Sequence, residues 1–186
     1  KFGVARSLES LKRVDQAEEK FRELAANVDS PRAADAVFHL AAIAFDRQEY
    51  PQAAALYIDL TQKFPDSRLV SASHLNAGYA FYHSSQFVPA IAQFESAANQ
   101  KTQRVIAGLW RGLSLKALGK TAEAVDVFKQ SAALVTDDAA EGELLRFQQA
   151  FCERQLGYTA EARQGFEAVL SRWPQGDYAD DSLHAL

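Results

Sequence analysis

The sequence predicts an all-α fold, a right-handed α-solenoid of antiparallel helix pairs, and three observations support this prediction. Residues that favour helices, chiefly Ala, Leu, Glu, Gln, Lys and Arg, dominate the 186-residue chain. No run of β-branched residues alternates with polar residues, as a half-buried strand would require. A pattern of small and aromatic residues recurs at a nearly constant interval. We therefore expect about five repeats followed by a terminal helix.

The recurring pattern is a small residue, an aromatic residue four positions later, and an apolar or small residue three positions beyond that. The five small residues are Ala17, Ala53, Ala90, Ala124 and Ala162. Their aromatic partners are Phe21, Tyr57, Phe94, Phe128 and Phe166. The intervals are 36, 37, 34 and 38 residues (53 − 17, 90 − 53, 124 − 90 and 162 − 124). Positions i, i+4 and i+7 share one helix face, and that face must be covered by neighbouring helices.

A second helix is predicted in front of each of the last four copies, at 33–47, 67–84, 103–118 and 137–156. Small residues stand where the two helices of a pair would cross, at Ala41, Gly78, Gly112 and Ala150. Gly119 and Gly157 are expected to end helices in a left-handed conformation, with Thr121 and Thr159 as N-caps of the next helices. Pro31, after Ser30, suits the first turn of a helix.

These elements predict a single repeat domain over 1–186. The units are expected at 1–29, 30–66, 67–101, 102–136 and 137–176, with a lone helix at 177–186. The chain starts at Lys1, without an initiator Met or a signal-like apolar segment. We therefore expect a mature form or a fragment of a longer chain.

In these units the sequence resembles the tetratricopeptide repeat (TPR) family, whose period is about 34 residues. The residues that carry the resemblance are the crossing glycines, the alanines and aromatic residues of the second helices, and the closing prolines Pro65 and Pro174. It covers essentially the whole chain. The sequence departs from the family early in the first helices, where a large aromatic residue is replaced by Val37, His74 and Gly108. The resemblance implies a scaffold that binds peptides or helices on a concave face.

The links between units narrow this resemblance. Phe64-Pro65-Asp66-Ser67 joins two units, and a similar segment begins at Trp173-Pro174. Such links, with periods of 36 to 38, are similar to those of bacterial cell-envelope repeat proteins. Examples are the Tol–Pal-associated periplasmic protein and the lipoprotein of the outer-membrane barrel-assembly machinery. This resemblance implies the periplasm or cell envelope, slightly favoured over the cytoplasm.

In the TPR family the first helix of each pair lines the concave face, and its positions beside the crossing residue point into the groove. The residues expected in a peptide-binding groove are Phe38, His39, Phe45, Asn76, Tyr79, Tyr82, His83, Trp110, Lys116, Phe147, Gln148, Phe151 and Arg154. The same reasoning places Ala42 and Asp46 on this face. The alternative for the rings is packing between neighbouring first helices, and for the amides of Asn76 and Gln148 a solvated polar face.

Chaperone-binding members of the family hold an acidic chain terminus with a clamp of Lys and Asn. We expect no such clamp, because the corresponding places of the second unit carry Phe38 and Ala42. Lys116 and Arg154 remain candidates to meet a carboxylate.

Composition excludes several classes of protein. Lys and Arg number 20 against 24 Asp and Glu, so the formal net charge is −4, and no nucleic-acid partner is expected. One Cys rules out a disulfide framework. No apolar run approaches the roughly 18 residues of a membrane-spanning helix, so no direct membrane insertion is expected. The histidines His39, His74, His83 and His184 form no i, i+4 pair, and Cys152 lacks a catalytic motif. We expect no metal, no cofactor and no enzymatic activity.

The sequence thus predicts a non-enzymatic protein–protein interaction scaffold that binds a peptide or helix in a preformed groove. The alternative is a structural or self-assembling accessory arm of a larger protein. The lone helix at 177–186 motivates this alternative, because it begins a sixth unit whose apolar face would need a cover, such as a second copy of the chain.

Overall fold

The computed structural model describes residues 1–135 and 140–186, and within these ranges it contains helices and turns but no strand. The α-helices are α1 (Phe2–Ser10), α2 (Val14–Ala25), α3 (Ala33–Asp46), α4 (Tyr50–Lys63), α5 (Val70–His83), α6 (Phe87–Ala97), α7 (Arg104–Ala117), α8 (Thr121–Ala132), α9 (Ala140–Gln155), α10 (Thr159–Arg172) and α11 (Ala179–Ala185). A short 3-10 helix at Lys101–Gln103 precedes α7. The all-α prediction is confirmed.

The helices form two compact units, residues 1–97 and 98–186. Unit 1 holds α1 to α6 and unit 2 holds α7 to α11. Within each unit every helix packs against the helix that follows it in the chain. In unit 2 the first helices α7 and α9 also contact each other directly. The predicted unit boundaries at 136 and 137, and the start of the helix predicted at 137–156, lie outside the described residues.

The core repeats one contact, between a small residue on the first helix and an aromatic ring on the second. Gly78 on α5 meets the ring of Phe94 on α6, and Gly112 on α7 meets the ring of Phe128 on α8. Sixteen residues separate the members of each pair (94 − 78 and 128 − 112). Pairs with the same separation occur in three further cores: Ala5 with Phe21, Ala41 with Tyr57, and Ala150 with Phe166. Each of these five rings is at most 2% exposed, as the predicted stripe requires.

Every turn from a first helix to a second helix contains one residue with a left-handed backbone. Gly119 and Gly157 have φ of 75° and 80°, which confirms their prediction as C-caps. The equivalent residues Lys12, Gln48 and Ser85 have φ of 60°, 63° and 59° without being glycine. The residue after each left-handed residue donates its N–H back to the last turn of the helix, for example Glu49 N to Ala44 O at 2.9 Å. The geometry of the turn therefore recurs where the glycine does not.

Several predicted helix ends are wrong by a few residues. Thr121 and Thr159 are the first helical residues, and neither Lys120 nor Tyr158, the true N-caps, makes a side-chain cap bond. Pro31 lies in a turn before α3 rather than in its first helical turn, because the Ser30 hydroxyl accepts the N–H of Arg32 at 3.3 Å.

The same kind of turn displaces the predicted start of α5 from 67 to Val70. The hydroxyl of Ser67 accepts the N–H of Leu69 at 3.2 Å, and this bond holds the chain in a turn before the helix begins. Three further predicted helices differ from the structure by only one or two residues at an end. They are the first helices predicted at 33–47 and 103–118 and the terminal helix predicted at 177–186, and each was predicted too long. Such shifts leave the order and pairing of the helices unchanged.

The left-handed turn predicts that replacing Gln48 by Gly stabilises the protein. A residue with a Cβ is sterically strained in this conformation, whereas glycine is not. Glycine loses more conformational entropy on folding, which offsets part of this advantage. We expect a net gain of about 0.5–1 kcal/mol in the free energy of unfolding by urea. The reverse control, Gly119→Ala, adds a Cβ that meets nothing within 4 Å, so any loss there is due to the backbone alone. An unchanged or lower stability of Gln48→Gly would contradict the prediction.

Candidate functional site

In unit 1 the first helices α3 and α5 enclose a hollow of about 160 Å³. It is lined by Ala42, Phe45, Asp46, Tyr57, Asn76 and Tyr79. We call it the aromatic hollow. Three of its residues, Phe45, Asn76 and Tyr79, belong to the predicted groove, and Ala42 and Asp46 were expected on the same face. The floor residue Tyr57 comes from the second helix α4 and was assigned only to the core.

A polar contact fixes the floor of the aromatic hollow. The side chain of Asn76 hydrogen bonds with the hydroxyl of Tyr57, whose ring is only 2% exposed. This bond lowers the pKa of Tyr57 from what burial alone would give. The half-buried amide of Asn76 therefore has a partner within the chain at the floor of the hollow.

Burial decides the protonation of both tyrosines in this hollow. It raises the pKa of Tyr57 to about 12, against the hydrogen bond from Asn76 and with a smaller contribution from the charge of Asp46. Burial likewise raises the pKa of Tyr79 to about 12. Both hydroxyls are neutral at physiological pH, so Asp46 is the anion at the rim of the hollow.

These shifts predict alkaline unfolding with a defined direction. A phenol whose pKa rises from 10.0 to about 12 on folding binds its proton more tightly in the folded state. Its contribution to stability is complete below about pH 10 and is lost as the pH rises towards about 12. We expect Tyr57→Phe, which has no phenol at this position, to shift the midpoint of alkaline unfolding upward. Circular dichroism follows the folding, and the tyrosinate absorbance band follows the titration. A midpoint that does not rise would contradict the assignment.

A cluster of rings adjoins the hollow at the end of α3. The ring of His83 stands 5.7 Å from that of Phe45 and stacks on Tyr50 at 5.3 Å. Tyr82 meets His83 at 5.9 Å and Phe87 at 5.5 Å, both edge to face. The predicted groove residues Tyr82 and His83 are thus connected to the aromatic hollow through Phe45. They extend its apolar surface along the C-terminal ends of α3 and α5.

In unit 2 two cations flank one ring on the first helices. Lys116 of α7 places its Nζ 4.3 Å from the ring centre of Phe151 on α9, and the guanidinium of Arg154 lies 5.2 Å from the same ring. The Nζ of Lys116 also donates to the side-chain amide oxygen Oε1 of Gln148 at 2.8 Å. All four residues belong to the predicted groove, and the structure brings them together. The sequence also allowed the rings to pack between neighbouring first helices. The ring of Phe151 has such a contact, because Lys116 of α7 covers it.

A second hollow, of about 410 Å³, lies in unit 2 between α9 and α11. It is lined by Phe147, Phe151, Arg154, Asp181, His184 and Ala185. The contribution of α11 was not predicted. It depends on Glu143, a carboxylate 7% exposed, which accepts the N–H of Tyr178 at 2.8 Å and so holds the start of α11 against α9. The burial of this carboxylate is visible only in the structure, so no local sequence signal indicated the anchor.

Other predicted groove residues lie elsewhere. His39 stacks on Phe21 at 4.6 Å and hydrogen bonds with Glu9 at 3.1 Å, so it packs among the first three helices. Phe38 packs edge to face on Tyr57 at 5.3 Å, which is the packing alternative. Phe147 reaches the hollow between α9 and α11 with a small part of its surface only, because it is 9% exposed and stacks on Tyr178 at 4.8 Å. Trp110 is half-buried on α7 and lines neither hollow.

Cys152, the one cysteine of the sequence, is buried. Burial raises the pKa of Cys152, so this thiol lies buried in its protonated form. In residues 1–135 and 140–186 no three His, Cys, Asp or Glu side chains are grouped as metal ligands. Within the same ranges, none of the helices combines the length and the apolar character that crossing a bilayer demands.

Comparison with known families assigns the chain. The family model of the N-terminal domain of EccA1, an ESX-1 (type VII) secretion system protein, matches residues 1–142. The chain belongs to this EccA1 N-terminal domain family. A comparison with curated proteins finds no match.

Solved structures similar to this member of the EccA1 family are TPR-like proteins. A crystal structure of MamA has a TM-score of 0.78 at 14% identity, covering 92% of this chain and 95% of that chain. Residues 41-end of MamA from Desulfovibrio magneticus RS-1 give 0.74 at 13% identity, covering 95% and 97%. Nearly identical TPR-like repeats of a kinesin light chain from Podosopora anserina give 0.70 at 16% identity, covering 91% and 92%. These matches confirm the TPR-like solenoid class.

Proposed function

We propose that the chain is a protein-interaction scaffold of a type VII secretion machinery, which binds a segment of a partner protein along its first helices. The single observation that supports this most is the aromatic hollow, where residues of α3 and α5 converge beside the amide of Asn76, which has a hydrogen-bond partner in Tyr57. Rings and fixed amides bind a peptide with little loss of side-chain freedom. The membership of the EccA1 N-terminal domain family supports the secretion setting. A cell-envelope location stays a proposal that rests on the linker resemblance.

Binding by preformed contacts can be tested without knowing the natural partner. A displayed library of random peptides is selected on the immobilised chain and on the groove variant Phe45→Ala/Asn76→Ala/Tyr82→Ala, which changes two residues of the aromatic hollow and one residue of the ring cluster beside it. The control variant replaces Gln52, Gln130 and Gln164, exposed glutamines of the second helices, by Ala. We expect peptides enriched on the unchanged chain to bind the control equally well and to lose affinity by about tenfold or more on the groove variant.

Far-UV circular dichroism checks that both variants remain helical. If the selected peptides bind the groove variant as well as the control, the binding surface lies elsewhere and the proposal fails. If no peptide is enriched on the unchanged chain, a peptide-binding role is also excluded under these conditions.

A second candidate, the structural or self-assembling arm, is favoured by one surface. Leu183 on α11 is 63% exposed, although the same helix buries Ala179 and Ser182. An apolar side chain so exposed beside a packed face suits contact with a second copy. Sedimentation velocity over a concentration series tests this. A mass that grows with concentration, and returns to the monomer in Leu183→Lys, would support it, whereas a monomer at every concentration would reject it.

A further inference from the structure

The aromatic hollow of unit 1 combines rings with a negative charge. Phe45 and Tyr79 present aromatic rings, and Asp46 adds a carboxylate at the rim. In the part of the chain that the structure describes, no Lys, Arg or His forms an ion pair with Asp46. The neighbouring Arg47 is engaged elsewhere, with Asp15 at 2.7 Å and Glu18 at 2.8 Å. The hollow therefore carries an uncompensated anion.

The position of this carboxylate on α3 strengthens the negative potential. Asp46 is the last residue of the helix, where the unpaired carbonyl groups give the helix dipole its negative end. The last turn of α3 contains no basic residue that would offset it. Asn76 lines the same hollow, and its side-chain amide oxygen is a further hydrogen-bond acceptor. Carboxylate, helix end and amide oxygen all favour a cation at one place.

The size of the hollow limits what that cation can be. About 160 Å³ is well below the roughly 300 Å³ at which cofactor and small-molecule sites begin. One side chain fits, and a nucleotide does not. The rings favour a cation that is partly desolvated, because the face of a tyrosine or phenylalanine attracts an ammonium or guanidinium group.

We propose that the aromatic hollow is a receptor for one lysine or arginine side chain of the bound partner segment. This rests on the proposed function, since the side chain arrives as part of a peptide on the first helices. The alkyl stem packs on Phe45 and Tyr79, and the charged head meets Asp46 and the amide oxygen of Asn76. The buried tyrosine floor excludes water from the stem.

The test uses the selection on random peptides and then a cycle of substitutions. We expect peptides enriched on the unchanged chain to share a Lys or Arg at one fixed position. The same selection on Asp46→Asn should lose that preference. Asp66→Asn is the matched control, because it removes the same charge from an exposed residue in the turn after α4, outside this hollow. It should retain the preference.

One enriched peptide is then synthesised with its basic residue and with norleucine, which keeps the four-carbon chain of lysine and lacks the ammonium group. On the unchanged chain and on Asp66→Asn the norleucine peptide should bind about tenfold more weakly. On Asp46→Asn the two peptides should differ by less than about threefold, which shows coupling between the two charges.

The outcomes separate the two proposals. Peptides that depend on the groove but share no basic residue, or show no coupling to Asp46, overturn the receptor and leave the scaffold intact. Peptides that bind the groove variant as well as the control overturn the scaffold, and the receptor with it. A shared acidic residue in place of a basic one would also overturn the receptor.

Discussion

Replacing Gly78 by Val should destabilise the protein by about 2–3 kcal/mol or more. A Cβ at this position would lie 2.5, 2.7 and 2.9 Å from three ring carbons of Phe94. That ring has no exposed surface and stands edge to face with Tyr79 at 5.6 Å, so it cannot turn away. The small gain in helix propensity over glycine, of a few tenths of a kcal/mol, cannot offset the overlap.

Urea unfolding followed by circular dichroism measures this effect. Gly3→Ala is the control, because a Cβ there meets nothing within 4 Å and the change should be close to neutral. A double variant, Gly78→Ala/Phe94→Leu, should lose less than the sum of its two single variants, since the smaller side chain makes room for the added methyl group. Additive losses would mean that the two residues are not in contact across the helix pair.

The fold could be predicted because the pattern of small and aromatic residues that determines its helix packing recurs along the sequence. The stripe beginning at Ala17 or Ala162 recurs five times, and each copy requires the same neighbours, so errors in single copies do not change the result. The left-handed turns show the limit of this reasoning. Glycine marked only the turns at Gly119 and Gly157, whereas the equivalent Gln48 carries no local signal. Its backbone is imposed by the packing of α3 on α4, which composition does not reveal.

The candidate site could be predicted in part, because positions on a helix follow from its period. The helix period places Asn76 and Phe151 on the faces of α5 and α9 where they were predicted to be accessible, and each of them lines a hollow in the structure. The role of Tyr57 was not, because a residue of the core stripe can also form the floor of a hollow. His184 was missed for another reason. Its place depends on the bond from Tyr178 to Glu143, a contact between residues 35 positions apart.

The two units present opposite charges beside their rings. The hollow of unit 1 ends in the carboxylate of Asp46, whereas the first helices of unit 2 present Lys116 and Arg154 around Phe151. Ionic contacts of this kind orient a ligand and add modest affinity, and the rings supply most of the buried area. We therefore expect the affinity for a peptide to fall more when a ring is replaced than when the salt concentration is raised. The packing beneath the rings is consequently part of the site.

Replacing Phe166 by Ala should destabilise unit 2 by about 3–5 kcal/mol. The ring is 1% exposed and forms a core cluster with Phe147, Ala150 and Val169, so its removal leaves a cavity that the surrounding helices cannot fill. Phe147 rests on it at 5.9 Å, and the guanidinium of Arg154 lies 5.5 Å from its centre. The substitution therefore removes the support of two residues that line the hollow between α9 and α11.

Tryptophan fluorescence during urea unfolding reports on this unit directly, because both tryptophans, Trp110 and Trp173, belong to it. Phe166→Leu is the matched control and should cost about 1.5 kcal/mol or less, since it keeps most of the buried volume. Peptides that use the cations of unit 2 should bind Phe166→Leu but lose binding to Phe166→Ala at urea concentrations where the control is still folded. The two variants differ in the size of the cavity that they leave. If Phe166→Ala and Phe166→Leu were equally stable, the ring of Phe166 would not be what holds the residues of this hollow in place.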